Sequence, residues 1–183
     1  MQQARKPLEP VMDLTTEIRP ETAADRQGIR ELLTAAFDGS KEADLVDALR
    51  DDGALAVSLT ADQGGAIIGY IGFSRIRIKG EHGTTTALAL APVAVHPEHQ
   101  RLGTGAGLIR TGLNRARVAG FELVVVVGHA DYYPRFGFKS ARACGIYCPF
   151  EVPDSAWMLV ELETGSASHH GGTVEYHAAF SKV

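Results

Sequence analysis

Two segments near the start of the chain place apolar residues at helical spacing. The first extends from residue 25 to residue 37, and its apolar positions follow the i, i+3, i+4, i+7, i+8 pattern of one buried helix face: Ile29, Leu32, Leu33, Ala36 and Phe37. A second, shorter apolar stripe follows at Leu45, Val46 and Leu49. Polar residues at 38–40 separate the stripes, so the sequence predicts two helices joined by a tight polar elbow.

Alternating apolar positions then predict an antiparallel hairpin. Leu55, Val57 and Leu59 alternate with small or polar residues, and a glycine turn separates them from a long predicted strand over residues 66–79. After a second turn, residues 84–95 predict a buried strand. Pro92 lacks the amide donor that a strand ladder needs, so we expect a β-bulge at that position.

The next segment is a helix followed by a strand. The apolar stripe of a third helix ends before Gly120, which is a good C-terminal stop: Leu108, Ile109, Gly112, Leu113 and Ala116. Residues 121–127 are nearly all apolar, which is typical of a strand buried on both faces beside a parallel neighbour. Strand, glycine-rich loop, helix and strand therefore form one right-handed crossover, and the fold class is mixed α/β.

The C-terminal third carries weaker patterns. Asp131 is expected to cap a short helix that extends through Phe136. Residues 156–163 and 173–176 predict the last strands, and residues 165–172 between them predict a flexible surface loop.

Length and composition fit one globular unit. The 183 residues are 45% apolar and 22% charged, which is close to the globular average. Residues 1–15 carry two prolines and no apolar period, so we expect a flexible N-terminal arm followed by a single domain over residues 16–183.

Charge and cysteine content exclude several classes. A net charge of -4 provides no cationic field for nucleic acid. Cys144 and Cys148 form neither a disulfide framework nor a zinc-finger spacing, so we interpret them as free thiols. The N-terminus has no apolar targeting region and no uncharged stretch is long enough to span a bilayer, which predicts a cytoplasmic protein that does not bind a membrane.

The segment from residue 93 to residue 110 carries the strongest chemical signal. A predicted strand leads into a turn containing Gly103, Gly105 and Gly107, and this turn opens directly into a helix. Backbone amides and the dipole at such a helix start favour an anion such as a pyrophosphate. The spacing fits neither the dinucleotide fingerprint nor the nucleotide-binding loop that requires a lysine after the glycines. A glycine turn that only packs a helix close to a sheet is the structural alternative.

Two motifs resemble the GNAT superfamily of acetyltransferases. The segment Gln100, Arg101, Leu102, Gly103, Thr104, Gly105 is similar to the family's Q/R-x-x-G-x-G/A signature, and residues 132–138, with sequence YYPRFGF, are similar to its aromatic-Tyr-x-x-x-Gly-Phe segment. The blocks CPFEVPDSAWMLVEL and GTVEYHAAF further resemble the YhbS-like subgroup. The resemblance implies a mixed, mostly antiparallel sheet, flanked by helices, whose parallel fourth and fifth strands splay apart to admit acetyl-CoA.

The resemblance also implies roles for individual residues. Tyr133 aligns with the family's general acid, with packing beside Phe136 and Phe138 as the structural alternative. The residues implied in acetyl-CoA binding are Val93, Ala94, Val95, Gln100, Arg101, Leu102, Gly103, Thr104, Gly105, Ala106, Gly107, His129, Tyr133 and Arg135. Arg101 and Arg135 are alternatively solvated, His129 is alternatively a capping residue, and Tyr132 is expected to pack.

The implied activity is transfer of an acetyl group from acetyl-CoA to a primary amine of a small molecule or peptide, by direct attack in a ternary complex. A homodimer is compatible with this assignment. Residues 88–91 offer no carboxylate as general base, so Asp38, Glu42, Glu81 and His82 are candidates through water. Alternatively, the acceptor arrives already neutral because its amine has a low pKa. His96, Glu98 and His99 are not expected to bind a metal. The alternative function is a non-catalytic acyl-CoA-binding sensor or partner-binding module on the same fold.

Overall fold

The computed structural model describes residues 15–81 and 83–182. The expected N-terminal arm therefore lies outside the described residues except for Thr15. The predicted helices and long strands are all present, with ends that differ by a few residues. In chain order the elements are β1 Thr16–Pro20, α1 Arg26–Phe37, α2 Lys41–Asp51, β2 Leu55–Gln63, β3 Ala66–Gly80, β4 Gly83–Val95, α3 Thr104–Val118, β5 Leu123–Val127, β6 Lys139–Ser140, β7 Ile146–Tyr147, β8 Trp157–Glu161 and β9 Gly172–Glu175.

The strands form one mixed sheet in the order β1-β2-β3-β4-β5-β8-β6. Neighbours along this order are antiparallel, except that β4 and β5 are parallel. The short strand β9 pairs with the far end of β3 and with β7. The sequence patterns predicted the hairpin and the parallel crossover, but the two-residue strands β6 and β7 are too short to produce a pattern.

Helices cover both faces of the sheet. Helix α3 packs Leu108 and Ile109 into a core with Phe73 and Leu88. Helices α1 and α2 pack on the opposite face, where Ile29 and other apolar residues meet Tyr70 and Ala94. Because side chains alternate along a strand, Tyr70 and Phe73 point to opposite faces of β3, and each packs against a different helix layer.

The bulge predicted at Pro92 is confirmed. Ile71 pairs with Val93 and Phe73 pairs with Leu90, so two residues of β4 lie opposite one residue of β3. The extra residue changes which face each side chain occupies. Leu90 and Val93 both contact the α3 core although they are three positions apart, whereas Ala94 contacts the α1 layer.

Strands β4 and β5 separate soon after they meet. Their pairing is restricted to Leu88 with Val124 and Ala89 with Val125. Beyond these two pairs the strands diverge toward Val95 and Val127. The splayed parallel pair implied by the family resemblance is therefore present, and it opens the sheet between the two helix layers.

One local prediction is wrong. The short helix Tyr133–Phe136 is a 3-10 helix capped at Tyr132 without a side-chain bond, so Asp131 lies outside it. The amides of Tyr132 and Tyr133 donate to the carbonyl of His129, which already fixes this turn.

The segment 165–172 lies at the surface as predicted, but it is anchored to the fold rather than being an irregular loop. It contains the 3-10 helix Ser166–His169, whose residues Ser166 and Ala167 are buried. The His170 ring lies 2.9 Å from both the Thr85 hydroxyl and a Glu122 carboxylate oxygen. These contacts join residues far apart in sequence, so the local composition could not reveal them.

Candidate functional site

A cavity of about 1230 Å³ lies where β4 and β5 diverge. It reaches from the start of α3, past the splayed strands, to the elbow between α1 and α2. Its lining residues are Phe37, Glu42, Leu45, Leu90, Ala91, Pro92, Val93, Ala94, Val95, Gln100, Arg101, Gly103, Gly105, Ala106, Val127, Gly128, His129, Tyr132, Tyr133, Arg135, Phe150, Val152 and Phe180.

The start of α3 presents backbone donors to this cavity. Gly103 is the N-cap residue and has a φ of 93°, a left-handed conformation that favours glycine. The amide of Gly107 donates to the Gly103 carbonyl at 2.9 Å and is thereby used within the helix. The preceding amides, of Thr104, Gly105 and Ala106, have no intrahelical acceptor because they belong to the first turn. With the helix dipole, these amides give the start of α3 the donors and the partial positive charge that favour an anion.

Two polar residues connect β4 to this helix. The side-chain amide of Gln100 donates to the Val95 carbonyl at 3.2 Å and so ties the loop to the end of the strand. Arg101 has a φ of 64°, which is unusual for a residue with a side chain. Its exposed side chain lines the cavity beside the free amides and provides a positive charge there.

Three of the predicted cofactor-binding residues do not line the cavity. Leu102 is 76% exposed. The methyl group of Thr104 lies against Gly69 of β3, and a Cβ added to Gly107 would lie 2.8 Å from Ile18 Cδ1. The glycine at 107 is thus explained by close packing of α3 on β1, and the side chains of Leu102 and Thr104 lie outside the cavity lining.

Tyr133 lines the cavity and is only 6% exposed. Its ring makes edge contacts with Tyr132 and Phe138. Burial, with a smaller contribution from neighbouring Tyr132, raises the pKa of the Tyr133 phenol to about 12. The phenol therefore stays protonated at neutral pH.

Gly128 makes room for this ring. A Cβ at position 128 would overlap the ring of Tyr133. The signal in the sequence is a single glycine directly after an all-apolar strand, but periodicity gives no reason to connect it with residue 133. Gly128 is a site residue that sequence reasoning missed.

Tyr132 and Arg135 form a second part of the wall. The guanidinium carbon of Arg135 lies 4.1 Å from the centre of the Tyr132 ring, and Arg135 Nε donates to the Tyr132 carbonyl at 2.9 Å. The Tyr132 hydroxyl lies 3.3 Å from where a Cβ of Gly105 would be. Tyr132 was expected only to pack, yet its hydroxyl approaches the amides that open α3.

His129 is exposed and lines the cavity at the end of β5. Its backbone carbonyl accepts hydrogen bonds from the amides of Tyr132 and Tyr133. The capping role that was the alternative for His129 is therefore performed by its backbone. Its imidazole remains accessible from the cavity.

Among the described lining residues Glu42 is the one carboxylate. It lies in the first turn of α2 and is half-buried. Asp38 is exposed, caps α1 in a left-handed conformation and does not line the cavity, and Glu81 is an exposed turn residue. His82 lies outside the described residues. Of the three base candidates among the described residues, Glu42 is the one that lines the cavity.

Within the described ranges, no group of three or more histidine, cysteine or acidic residues is arranged to hold a metal ion. His96 accepts a bond from the Glu98 amide and packs edge-on against His99, which makes this cluster a capped turn. Cys144 and Cys148 are both free thiols. In the same residues, no helix has the length and apolar character to cross a membrane.

The sequence matches a known family over more than half its length. Residues 17–141 match the family described as Acetyltransferase (GNAT) domain. This stretch contains both the glycine turn at the start of α3 and the aromatic segment with Tyr133.

Relatives and solved structures agree with this match. YjhQ of Escherichia coli K12, an uncharacterized N-acetyltransferase, is 43% identical over 145 residues, covering 76% of this chain and 80% of YjhQ. The crystal structure of YhbS from Escherichia coli in complex with CoA has a TM-score of 0.87 and 32% identity, covering 96% of each chain. A GNAT family acetyltransferase from Brucella melitensis in complex with acetyl-CoA has a TM-score of 0.76 and 34% identity, covering 91% of this chain and 99% of that one.

Proposed function

Because the chain belongs to the GNAT family of N-acetyltransferases, we propose that it transfers the acetyl group of acetyl-CoA to a primary amine by direct attack in a ternary complex. Residues 16–183 act as one domain in this proposal. The observation that carries it is a single cavity that joins the amides at the start of α3, the Tyr133 phenol and the Glu42 carboxylate.

The start of α3 fits the diphosphate of coenzyme A. The amides of Thr104, Gly105 and Ala106 bind the phosphate oxygens, and the absence of a side chain at Gly105 lets those oxygens approach the backbone. Arg101 supplies positive charge two residues before the N-cap Gly103, and Arg135, stacked on Tyr132, adds a second positive charge to the cavity lining. Acetyl-CoA supplies the activated acetyl group.

The diverging strands place the reactive part of the donor. The exposed backbone edge around Val93, Ala94 and Val95 holds the pantetheine arm and orients the thioester, since β4 has left β5 at this point. Holding two reactants in line can lower a barrier by about 7 to 11 kcal/mol, more than a positioned acid or base contributes. Positioning is the larger part of catalysis in this proposal.

Tyr133 and Glu42 complete the proton transfers. Tyr133 donates its phenolic proton to the departing thiolate of CoA. Glu42, directly or through water, removes a proton from the incoming ammonium so that the amine can attack. The cavity lining contains no cysteine, serine or lysine among the described residues, and kinetics distinguish direct attack from an acetyl-enzyme formed on another side chain.

The experiment measures CoA release and acetylated product with acetyl-CoA and a panel of amines that includes small alkylamines, polyamines, amino acids and peptide N-termini. We expect turnover with at least one amine and intersecting initial-velocity patterns. Parallel patterns would contradict direct attack. No turnover with any amine, together with tight acetyl-CoA binding, would instead favour the non-catalytic acyl-CoA-binding module.

Glu42→Gln is expected to lower kcat by about 10²-fold at neutral pH, because the amide cannot accept the proton. The loss should shrink as the assay pH rises and the free amine becomes deprotonated in solution. Asp38→Asn is the matched control, since Asp38 is exposed and outside the cavity lining. Equal rates for Glu42→Gln and wild type at neutral pH would remove Glu42 from the base role.

Gly128→Ala is expected to displace the Tyr133 ring and to lower kcat more than its effect on folding explains. An overpacked core position costs about 1–3 kcal/mol of stability. Gly112→Ala is the matched control, because its Cβ would overlap Phe73 in the same core without touching Tyr133. Urea unfolding and kcat are measured for both variants, and equal activity at equal stability would refute the supporting role of Gly128.

A further inference from the structure

The cavity has two chemically different ends. The end at α3 carries Arg101, and Arg135 lines the cavity where it stacks on Tyr132, whose hydroxyl approaches Gly105. The other end is formed by the elbow between α1 and α2 together with Phe150, Val152 and Phe180, and its described lining residues include one charged group, Glu42. Opposite charges at the two ends orient an anionic donor and a cationic acceptor in opposite directions.

The wall around Glu42 is otherwise apolar. Leu45 lies three residues after Glu42 on the same face of α2, and the remaining lining residues at this end are Phe37, Phe150, Val152 and Phe180. Phe37 is 41% exposed and Phe150 is 48% exposed. Large apolar side chains that stay accessible inside a concave site are typical of a surface that a ligand covers.

The aromatic part of this wall is held in place from behind. The Tyr176 ring lies 5.3 Å from the Phe150 ring and 4.9 Å from the Phe180 ring. Tyr176 itself packs against the core that contains Trp157, whose indole nitrogen donates to the Ile146 carbonyl at 2.8 Å. A ligand that contacts Phe150 and Phe180 therefore meets a preformed surface, which reduces the ordering cost of binding.

We propose that the acceptor is a primary amine whose amino group is attached to an apolar group of aromatic size. This inference rests on the proposed function. The amine lies at Glu42 and the apolar group packs against Phe150 and Phe180. Polyamines would place a second ammonium group against an apolar wall, and a free amino acid would bring its carboxylate toward Glu42. Both arrangements leave a charge without a partner.

The test compares kcat/KM for 2-phenylethylamine, ethanolamine and spermidine, and for a peptide with an N-terminal Phe. We expect 2-phenylethylamine to exceed ethanolamine and spermidine at least tenfold. Comparing kcat/KM for the peptide with that for 2-phenylethylamine shows whether the acceptor is a protein N-terminus or a small amine, since both present an amine next to an aromatic group. Phe150→Ala should raise the KM for 2-phenylethylamine about tenfold, leaving kcat and acetyl-CoA affinity nearly unchanged. Tyr147→Ala, a similarly exposed aromatic outside the cavity lining, is the control.

A second measurement does not need turnover. In the presence of CoA, calorimetry is expected to detect 2-phenylethylamine binding to wild type and a weaker binding to Phe150→Ala. Preference for ethanolamine or spermidine, or an unchanged Phe150→Ala, overturns the inference while the acetyltransferase proposal stands. Binding of 2-phenylethylamine without acetylation of any amine supports the apolar subsite and refutes the proposed catalysis.

Discussion

Tyr133→Phe is expected to lower kcat at least tenfold while acetyl-CoA affinity stays nearly unchanged. The substitution removes the proton donor but keeps the ring that packs against Tyr132 and Phe138. A positioned general acid contributes about 10²- to 10⁴-fold to rate, so a tenfold loss is a lower bound. Steady-state release of CoA gives kcat, and calorimetry gives the affinity for acetyl-CoA.

The control for this substitution is Tyr147→Phe, which removes an exposed phenol outside the cavity lining. The pH profile adds an independent check. Because the pKa of Tyr133 is raised to about 12, its acid form persists through the alkaline range. We therefore expect no decline of wild-type kcat between about pH 8 and pH 10 from this group. A Tyr133→Phe variant with wild-type kcat would leave Tyr133 a packing residue only.

Gly105→Glu is expected to weaken acetyl-CoA binding about 10- to 100-fold. The new carboxylate competes for the amides at the start of α3 and repels the diphosphate, and one hydrogen bond to a charged group is worth about 1.5–3 kcal/mol. The added Cβ would lie 3.3 Å from the Tyr132 hydroxyl and 3.5 Å from Val95 Cγ2, so bulk adds a smaller effect. Calorimetric titration with acetyl-CoA measures the affinity.

Gly105→Gln separates charge from bulk, because it has the same shape without the negative charge. We expect it to retain more affinity than Gly105→Glu. Gly39→Glu adds the same charge where a Cβ meets open space, and it should bind acetyl-CoA as wild type does. If Gly105→Glu binds acetyl-CoA with wild-type affinity, the diphosphate does not lie at this helix.

Local patterns predicted most of the fold for a clear reason. The stripe of apolar residues in α3 and the alternation in β2 and β3 reflect each element's own period, which is a property of neighbouring residues. The bulge in β4 was predictable because proline has no backbone N–H, and this property of Pro92 can be read from a single residue. The prediction that Asp131 caps the short helix was wrong because the amides of Tyr132 and Tyr133 already donate to the carbonyl of His129.

The residues of the candidate site also fall into two groups, those that local sequence motifs predicted and those that only tertiary contacts brought together. The sequence by itself determined the glycine turn before α3, the aromatic segment with Tyr133 and the family to which they belong, since each is a contiguous motif. Only the tertiary structure decided that Glu42, Phe150 and Phe180 line the same cavity as the glycine turn and Tyr133. It also decided that the ring of Tyr133 packs where a Cβ at position 128 would be. These residues are brought together by strand divergence and helix packing, which depend on contacts between distant parts of the chain and leave no periodic trace in any one segment.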